Sequence, residues 1–270
     1  MAWTAKAATI NGGRVPYLDA GDPRSPHVIV LVHAFPVGMR MWNHVAIPGG
    51  WRGLAPALPG FDGADPPPRD STSIDDYARL ILDFMDDLRL DSAAIGGVSM
   101  GGYVAFALWR LDRLRWRGLV LADTRAAADS TQGRAGREKM LQTLREGGTR
   151  GVADAMAPKL VGATTRARRP HVVDQVRRLI ERQTNDGIAA AIVRLRDRPD
   201  STPLLGDIGV PVAVMVGEED EVTPPAESER MQAQIEDARL VRIPEAGHLS
   251  CLENPAAFSA SLGAFLGELR

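Results

Sequence analysis

The stretch AIGGVSMGGYVA, Ala94 to Ala105, sets one hydroxyl among four glycines and then runs into apolar residues at helical spacing. Asp91 to Val98 reads as a strand and Met100 to Leu111 as a helix, so Ser99 falls on the turn between them. Two readings compete. In one, the serine only fills a tight strand-to-helix turn. In the other, the turn lifts Ser99 out of the backbone as a nucleophile. A turn this sharp crowds the main chain and needs small neighbours, and Gly97 and Gly101 flank Ser99 in the pattern G-x-S-x-G, followed by Gly102. Strand before and helix after are the context a nucleophile elbow requires, and they favour the second reading.

A serine hydroxyl is a weak nucleophile at its free pKa, so it needs a base, and the base needs an orienting group. His248 lies in PEAGHLS, between the last short strand and the terminal helix, where a loop histidine can reach the site. Asp220 follows an apolar strand, in GEED. Serine, acid, histidine is the chain order of triads built on this elbow. In this scheme Asp220 holds the His248 tautomer and His248 takes the Ser99 proton. Asp123, at the end of an earlier strand, is the rival acid. Glu218, Glu219 and Glu221 are expected to face solvent. The developing oxyanion needs fixed donors, and the N–H of Met100 and that of Phe35, in the early turn HAFP, are the candidates. His33 is expected to brace that turn by hydrogen bonding. Phe35, Trp42 and Met100 could line an apolar pocket, and Cys251 is read as a small packing residue.

Outward from this centre, Val28 to Pro36 (VIVLVHAFP) reads as a buried strand that emerges at the site. Ala7–Ile10 and Arg14–Leu18 flank Asn11-Gly12-Gly13, a hairpin signal. Trp51 to Pro68 gives a short strand and an irregular Gly/Pro loop. Ile74, Tyr77, Ile81, Phe84 and Leu88 form a helical stripe that Ser73 and Asp76 can cap. Further strands are expected at Arg117–Ala122, Val210–Val216 and Leu240–Ile243. Thr223-Pro224 reads as the N-cap and first-turn pair of the next helix, and Asn254-Pro255 opens a terminal one. Alternating short strands and helices indicate an α/β fold with a mostly parallel sheet covered on both faces.

The rhythm breaks between Thr124 and Asp200, where helical stripes occur without a convincing strand (Met140, Leu141 and Leu144; Val172, Val173, Val176, Leu179 and Ile180; Ile188, Ile192 and Leu195). Basic residues outnumber acidic ones there, sixteen to nine. Charged solvated helix faces explain the excess most simply, and a preference for anionic substrates is the alternative. The expected division is a core of residues 1–123 and 201–270 with a helical insertion at 124–200.

The whole chain has 270 residues, 44% hydrophobic and 24% charged, with a formal net charge of -2. That balance gives no reason to expect nucleic acid or an anionic membrane as a partner. The segment MAWTAKAATINGG has no continuous apolar core like that of a secretory signal, and no apolar stretch reaches the roughly 20 residues of a membrane span. With Cys251 the single cysteine, no internal disulfide can form, and the expectation is a cytoplasmic protein. Zinc, P-loop and dinucleotide fingerprints are missing, so no metal or organic cofactor is assigned.

On these motifs the chain resembles the α/β-hydrolase superfamily, in particular its small carboxylesterases and enol-lactonase-like members. HAFP (His33–Pro36) is similar to the family's H-G-F-P oxyanion loop, and LPGFDGAD (Leu58–Asp65) to its next glycine-containing loop. GVSMGG, GEED and GHLS fill the elbow, acid and histidine positions. The resemblance covers nearly the whole chain and implies an eight-stranded, mostly parallel sheet with residues 124–200 as a helical cap over the site. It also implies Phe35 and Met100 as oxyanion donors. Ala34 replaces the usual glycine, and Asp65 stands where many relatives have a small hydroxyl residue. The implied activity is hydrolysis of a small carboxylic ester through an acyl-Ser99 intermediate. An enol-lactonase for a small anionic lactone, a cofactor-free perhydrolase and a noncatalytic small-ligand receptor remain as alternatives.

Overall fold

A computed structural model describes residues 2–66 and 72–269. Met1 and the last two residues of the loop expected at Trp51–Pro68 lie outside the described residues.

The chain opens with β1 (Thr4–Ile10) and β2 (Gly13–Gly21), paired antiparallel with Ile10 opposite Gly13. The two-residue turn between them is Asn11-Gly12, both at positive φ (50° and 80°). Such a turn matches the right-handed twist of the strands it joins. β3 (Val28–Val32) is buried along its whole length, as a central parallel strand must be. β4 (Arg52–Pro56), β5 (Ala93–Val98), β6 (Trp116–Ala122), β7 (Val212–Gly217) and β8 (Ala238–Ile243) complete one sheet of order β1-β2-β4-β3-β5-β6-β7-β8. β2 runs antiparallel to β4, and from β4 to β8 every pairing is parallel. The eight-stranded, mostly parallel sheet is therefore as expected.

α1 (Ile74–Asp87) begins with the reciprocal cap anticipated from Ser73 and Asp76, and it buries Ile74, Tyr77, Ile81 and Phe84. α2 (Met100–Leu111) follows β5 with Ser99 alone between them and packs across β3, β5 and β6. α9 (Pro255–Glu268) is capped by the Asn254 side chain and buries Phe258, Leu262 and Phe265.

Among the described residues no strand lies between β6 and β7, where the chain forms α3 (Thr131–Met156), bent where Gly148 leaves helical geometry, α4 (Ala163–Arg168), α5 (Pro170–Glu181) and α6 (Asn185–Asp197), then a short 3-10 helix (Thr202–Asp207). α3 packs on α5 and α6 through the stripes read from sequence, with Leu144, Val176, Ile180, Ile188, Ile192 and Leu195 buried. These four helices form the cap. Among the described residues no helix is long and apolar enough to cross a membrane.

One local expectation fails. α7 (Pro225–Gln232) starts one residue later than Thr223-Pro224 predicts, with Pro224 at the N-cap and no side-chain cap. Thr223 is not free to cap a helix, because its hydroxyl is engaged in the site.

Candidate active site

Ser99 stands between β5 and α2 at φ 55° and ψ -112°, a conformation costly for a residue with a Cβ. The surroundings hold it there. Its N–H donates to Ala122 O at 2.9 Å, and its carbonyl accepts from Thr124 Oγ1 at 2.9 Å. The flanking glycines are required by space. A Cβ on Gly97 would overlap the Gly101 backbone, and one on Gly101 would overlap Val32 O in β3. The motif is thus the set of residues that lets α2 start directly against the sheet.

His248 Nε2 lies 2.8 Å from Ser99 Oγ, and its Nδ1 lies 2.9 Å from Asp220 Oδ2. The residues come together from the C-terminal ends of β5, β7 and β8. Asp220 is 3% exposed and its carboxylate is filled. Oδ1 accepts from Val222 N (2.8 Å) and Thr223 N (2.9 Å), and Oδ2 accepts from Thr223 Oγ1 (2.6 Å) as well as from the histidine. Thr223 Oγ1 is also 3.2 Å from His248 Nδ1. Burial alone would raise the Asp220 pKa, but the His248 charge and the bonds from His248 and Thr223 outweigh it and hold the carboxyl below its ordinary value. Burial likewise pushes His248 down. The charge and hydrogen bond of Asp220, with the charges of Asp123 and Glu253, bring it above its ordinary value.

Asp123, the rival acid, is fully buried, and it accepts hydrogen bonds from Gly217 and Ser250 and not from the imidazole. Its Oδ1 accepts from Gly217 N (2.8 Å), and its Oδ2 from Ser250 N (3.2 Å) and Ser250 Oγ (2.5 Å). It joins the acid strand to the histidine loop. Burial and the neighbouring Asp220 charge push its pKa up to about 8.

The early loop is built as expected around His33. Its Nε2 accepts from Leu58 N at 3.1 Å, and its Nδ1 faces Ala34 O at 3.1 Å. Burial lowers its pKa, so the neutral ring donates from Nδ1 and ties the HAFP turn to the Leu58–Asp65 loop. Ala34 N donates to Met41 Sδ (3.1 Å). Phe35, Trp42 and Met100 are all buried, with the Trp42 ring 6.0 Å from that of Phe258 in α9. Asp65 accepts from Arg14 N (2.8 Å) and so braces β2.

The cap is held at two places. Gln183 donates to Val37 O (3.2 Å) just after the HAFP turn and accepts from Asp62 N (2.8 Å), while Thr184 Oγ1 donates to Gly60 O (2.8 Å). On the other side Glu219 accepts from Thr164 N (2.8 Å) and from the Thr164 hydroxyl. The expectation that Glu219 faces solvent is therefore corrected: it anchors α4. Glu218 and Glu221 are exposed as expected. Sequence reasoning missed Thr223 and Glu219. In Thr223 the competing signal was the following proline, which reads as a helix start.

Sheet, elbow and proton relay together define a serine hydrolase, in which Ser99 is acylated and then freed by water that His248 activates. The chain belongs to the alpha/beta hydrolase fold family, whose model it matches over residues 27–255. Among solved structures it is similar to a thermophilic esterase from Thermogutta terrifontis, determined with malate bound (32% identity, 98% of this chain and 99% of that one, TM-score 0.91). It is also similar to the enol-lactonase from Burkholderia xenovorans LB400 (26% identity, 97% and 100%, TM-score 0.88). Among curated proteins, 3-oxoadipate enol-lactonase 2 from Acinetobacter baylyi is 26% identical over 204 residues, covering 76% of this chain and 74% of that protein.

Proposed function

We propose that the protein hydrolyses small, uncharged carboxylic esters. The observation that carries this reading is the relay Ser99–His248–Asp220, closed at 2.8 and 2.9 Å. Ser99 Oγ gives its proton to His248 Nε2 as it attacks the carbonyl carbon, and the C–O bond to the alcohol breaks as the same proton passes to the leaving alkoxide. Water, deprotonated by His248, then cleaves the acyl-Ser99 ester and releases the acid. We assign the oxyanion hole to the main-chain N–H groups of Phe35 and Met100, the first held by the His33 brace and the second at the start of α2. Phe35, Met100 and Trp42 are assigned to an apolar wall of the pocket. The Trp42 indole N–H has no acceptor among the described residues, which suits a place beside a ligand. Residues 124–200 are taken as the cap, and the lone, buried Cys251 thiol supports a cytoplasmic setting.

One observation favours an ester, and a second favours an uncharged one. The likeness to the Thermogutta esterase extends over nearly the whole chain. In addition, many basic cap residues are already spent on protein partners. Arg125, Arg137 and Arg198 share Asp129, while Arg166, Arg177, Arg182 and Arg196 pair with Glu221, Asp154, Asp62 and Glu138. Lactone hydrolysis is the second reading, favoured by the likeness to two enol-lactonases. It uses the same relay, with the alcohol still tethered to the acyl group.

The test is a matched panel of aryl esters, aliphatic esters and neutral and anionic lactones, with Ser99→Ala as control and a fluorophosphonate as active-site label. The expected result is turnover of short uncharged esters, label on Ser99, and loss of both in the variant. Full esterase activity in Ser99→Ala would sink the mechanism. An anionic lactone turned over far faster than any ester would replace the substrate reading.

A further inference from the structure

Glu253 lies in α8 (Ser250–Glu253), just beyond His248, and is 2% exposed. Its carboxylate accepts from main-chain donors in two parts of the molecule, with the Thr165 side chain beside them. Oε2 accepts from Gly162 N at 2.7 Å, while Oε1 accepts from Gly247 N at 2.9 Å and Leu249 N at 3.3 Å. Gly247 and Leu249 are the residues on either side of His248. Gly162 belongs to the cap, immediately before α4. The two backbones touch: a Cβ on Gly162 would overlap Gly247, and one on Gly247 would overlap Gly162. Arg169, which follows α4, donates to the main-chain carbonyls of Glu253 (3.0 Å) and Glu245 (2.5 Å) and to Thr165 Oγ1 (3.0 Å).

Burying a carboxylate is costly unless its lone pairs are filled, and here they are filled by the groups whose positions matter most to the base. No step of the proton relay passes through Glu253. We propose that Glu253 is a positioning residue for His248, which fixes the base by the N–H groups on both sides of it and ties its loop to the cap at Gly162. One side chain then couples the aim of the imidazole to the seating of this side of the cap.

Charge adds a second consequence. The charged and titratable groups around this corner are Asp220 from the acid loop, Asp123 from the end of β6, Arg169 and Glu219 against the cap contact, and Cys251 on the same helix. Among them the Glu253 charge favours the imidazolium form of His248. Burial raises the proton affinity of Glu253 itself, opposed by its bonds to Gly162, Thr165, Gly247 and Leu249.

Glu253→Gln is nearly isosteric but offers one acceptor oxygen. With that oxygen turned to Gly247 and Leu249, its amide meets the Gly162 N–H donor to donor, so the cap tie is lost along with the charge. The inference rests on the serine-hydrolase reading, and the experiment separates the two. Wild type, Glu253→Gln and Glu253→Asp are titrated with a fluorophosphonate to count competent sites, and kcat/KM per site on a p-nitrophenyl ester is followed against pH. Glu253→Gln is expected to lose about tenfold to a hundredfold per site and to shift its acid limb to lower pH. Glu253→Asp keeps the charge, so it should lose rate with the limb near that of wild type. Wild-type kcat/KM per site in Glu253→Gln, or a loss without any shift of the limb, overturns the proposal and leaves Glu253 a packing residue. Wild type that neither labels nor turns over ester overturns both readings.

Discussion

At Asp220, four donors converge on one buried carboxylate, and three of them come from Val222 and Thr223. The carboxylate therefore stays ionised, oriented and aimed at Nδ1 before any substrate arrives, which is the preorganisation an acid of this kind needs. Asp220→Asn presents an amide to Nδ1 and disturbs the tautomer. The expected loss in kcat is about ten-thousand-fold, with little change in melting temperature. Thr223→Val removes only the hydroxyl, and the expected loss in kcat/KM is about tenfold, one hydrogen bond to a charged group. Steady-state kinetics on an activated ester checks both, and a fully active Thr223→Val would mean that the backbone donors suffice. Ser99 was legible from its own neighbours because its constraint is local: glycines must stand at 97 and 101 or α2 cannot approach β3. Thr223 was not, since a hydroxyl before a proline carries the same signal whether it caps a helix or holds a carboxylate.

The elements were read from hydrophobic period and turn chemistry, and those succeed where the controlling contacts are near in sequence. The stripe of α1 with its Ser73/Asp76 cap is one case, and the Asn11-Gly12 hairpin another. What could not be read is how the cap sits, because its anchors are single polar side chains whose partners are main-chain groups far away. Gln183 meets Val37 and Asp62, and Glu219 meets Thr164. Nothing in the spacing of a glutamine or a glutamate announces a distant backbone N–H. Gln183→Leu leaves a buried carbonyl and a buried N–H without partners, so it is expected to cost about 2 kcal/mol of stability. Because Val37 follows the HAFP turn, KM should rise and kcat should fall with it. A variant with wild-type kinetics and an unchanged denaturation midpoint would show that the cap is seated by its apolar contacts alone. Gly101→Ala should be far more damaging, about 3 kcal/mol or more, read as a large drop in melting temperature.

For the molecule as a whole, buried groups with raised pKa, Asp123, His248 and Glu253 among them, oppose alkaline stability. The folded pKa of Asp123 is about 8 against an ordinary 3.8, and that of His248 is also raised. The stability associated with each is fully present below its unfolded pKa and is lost as pH rises through the folded one. The lowered carboxyls of Asp19, Asp129 and Asp220 act oppositely and lose their contribution as pH falls. Activity needs neutral His248, so it should climb over the range in which stability declines. Calorimetry from about pH 5 to 9 is expected to place the melting maximum on the acid side of the activity optimum, and Asp123→Asn should flatten the alkaline decline. A wild-type melting temperature constant between about pH 6 and 9 would contradict this. The order of strands has a further effect during synthesis. Leu119–Ala122 of β6 pair on one side with β5, already made, and on the other with Val212–Met215 of β7. Residues 123–211 must leave the ribosome before that second edge is covered. Until then a row of free main-chain donors and acceptors in an apolar strand invites pairing with other chains. The helical insertion thus prolongs the time for which that strand edge of the nascent polypeptide stays open to pairing.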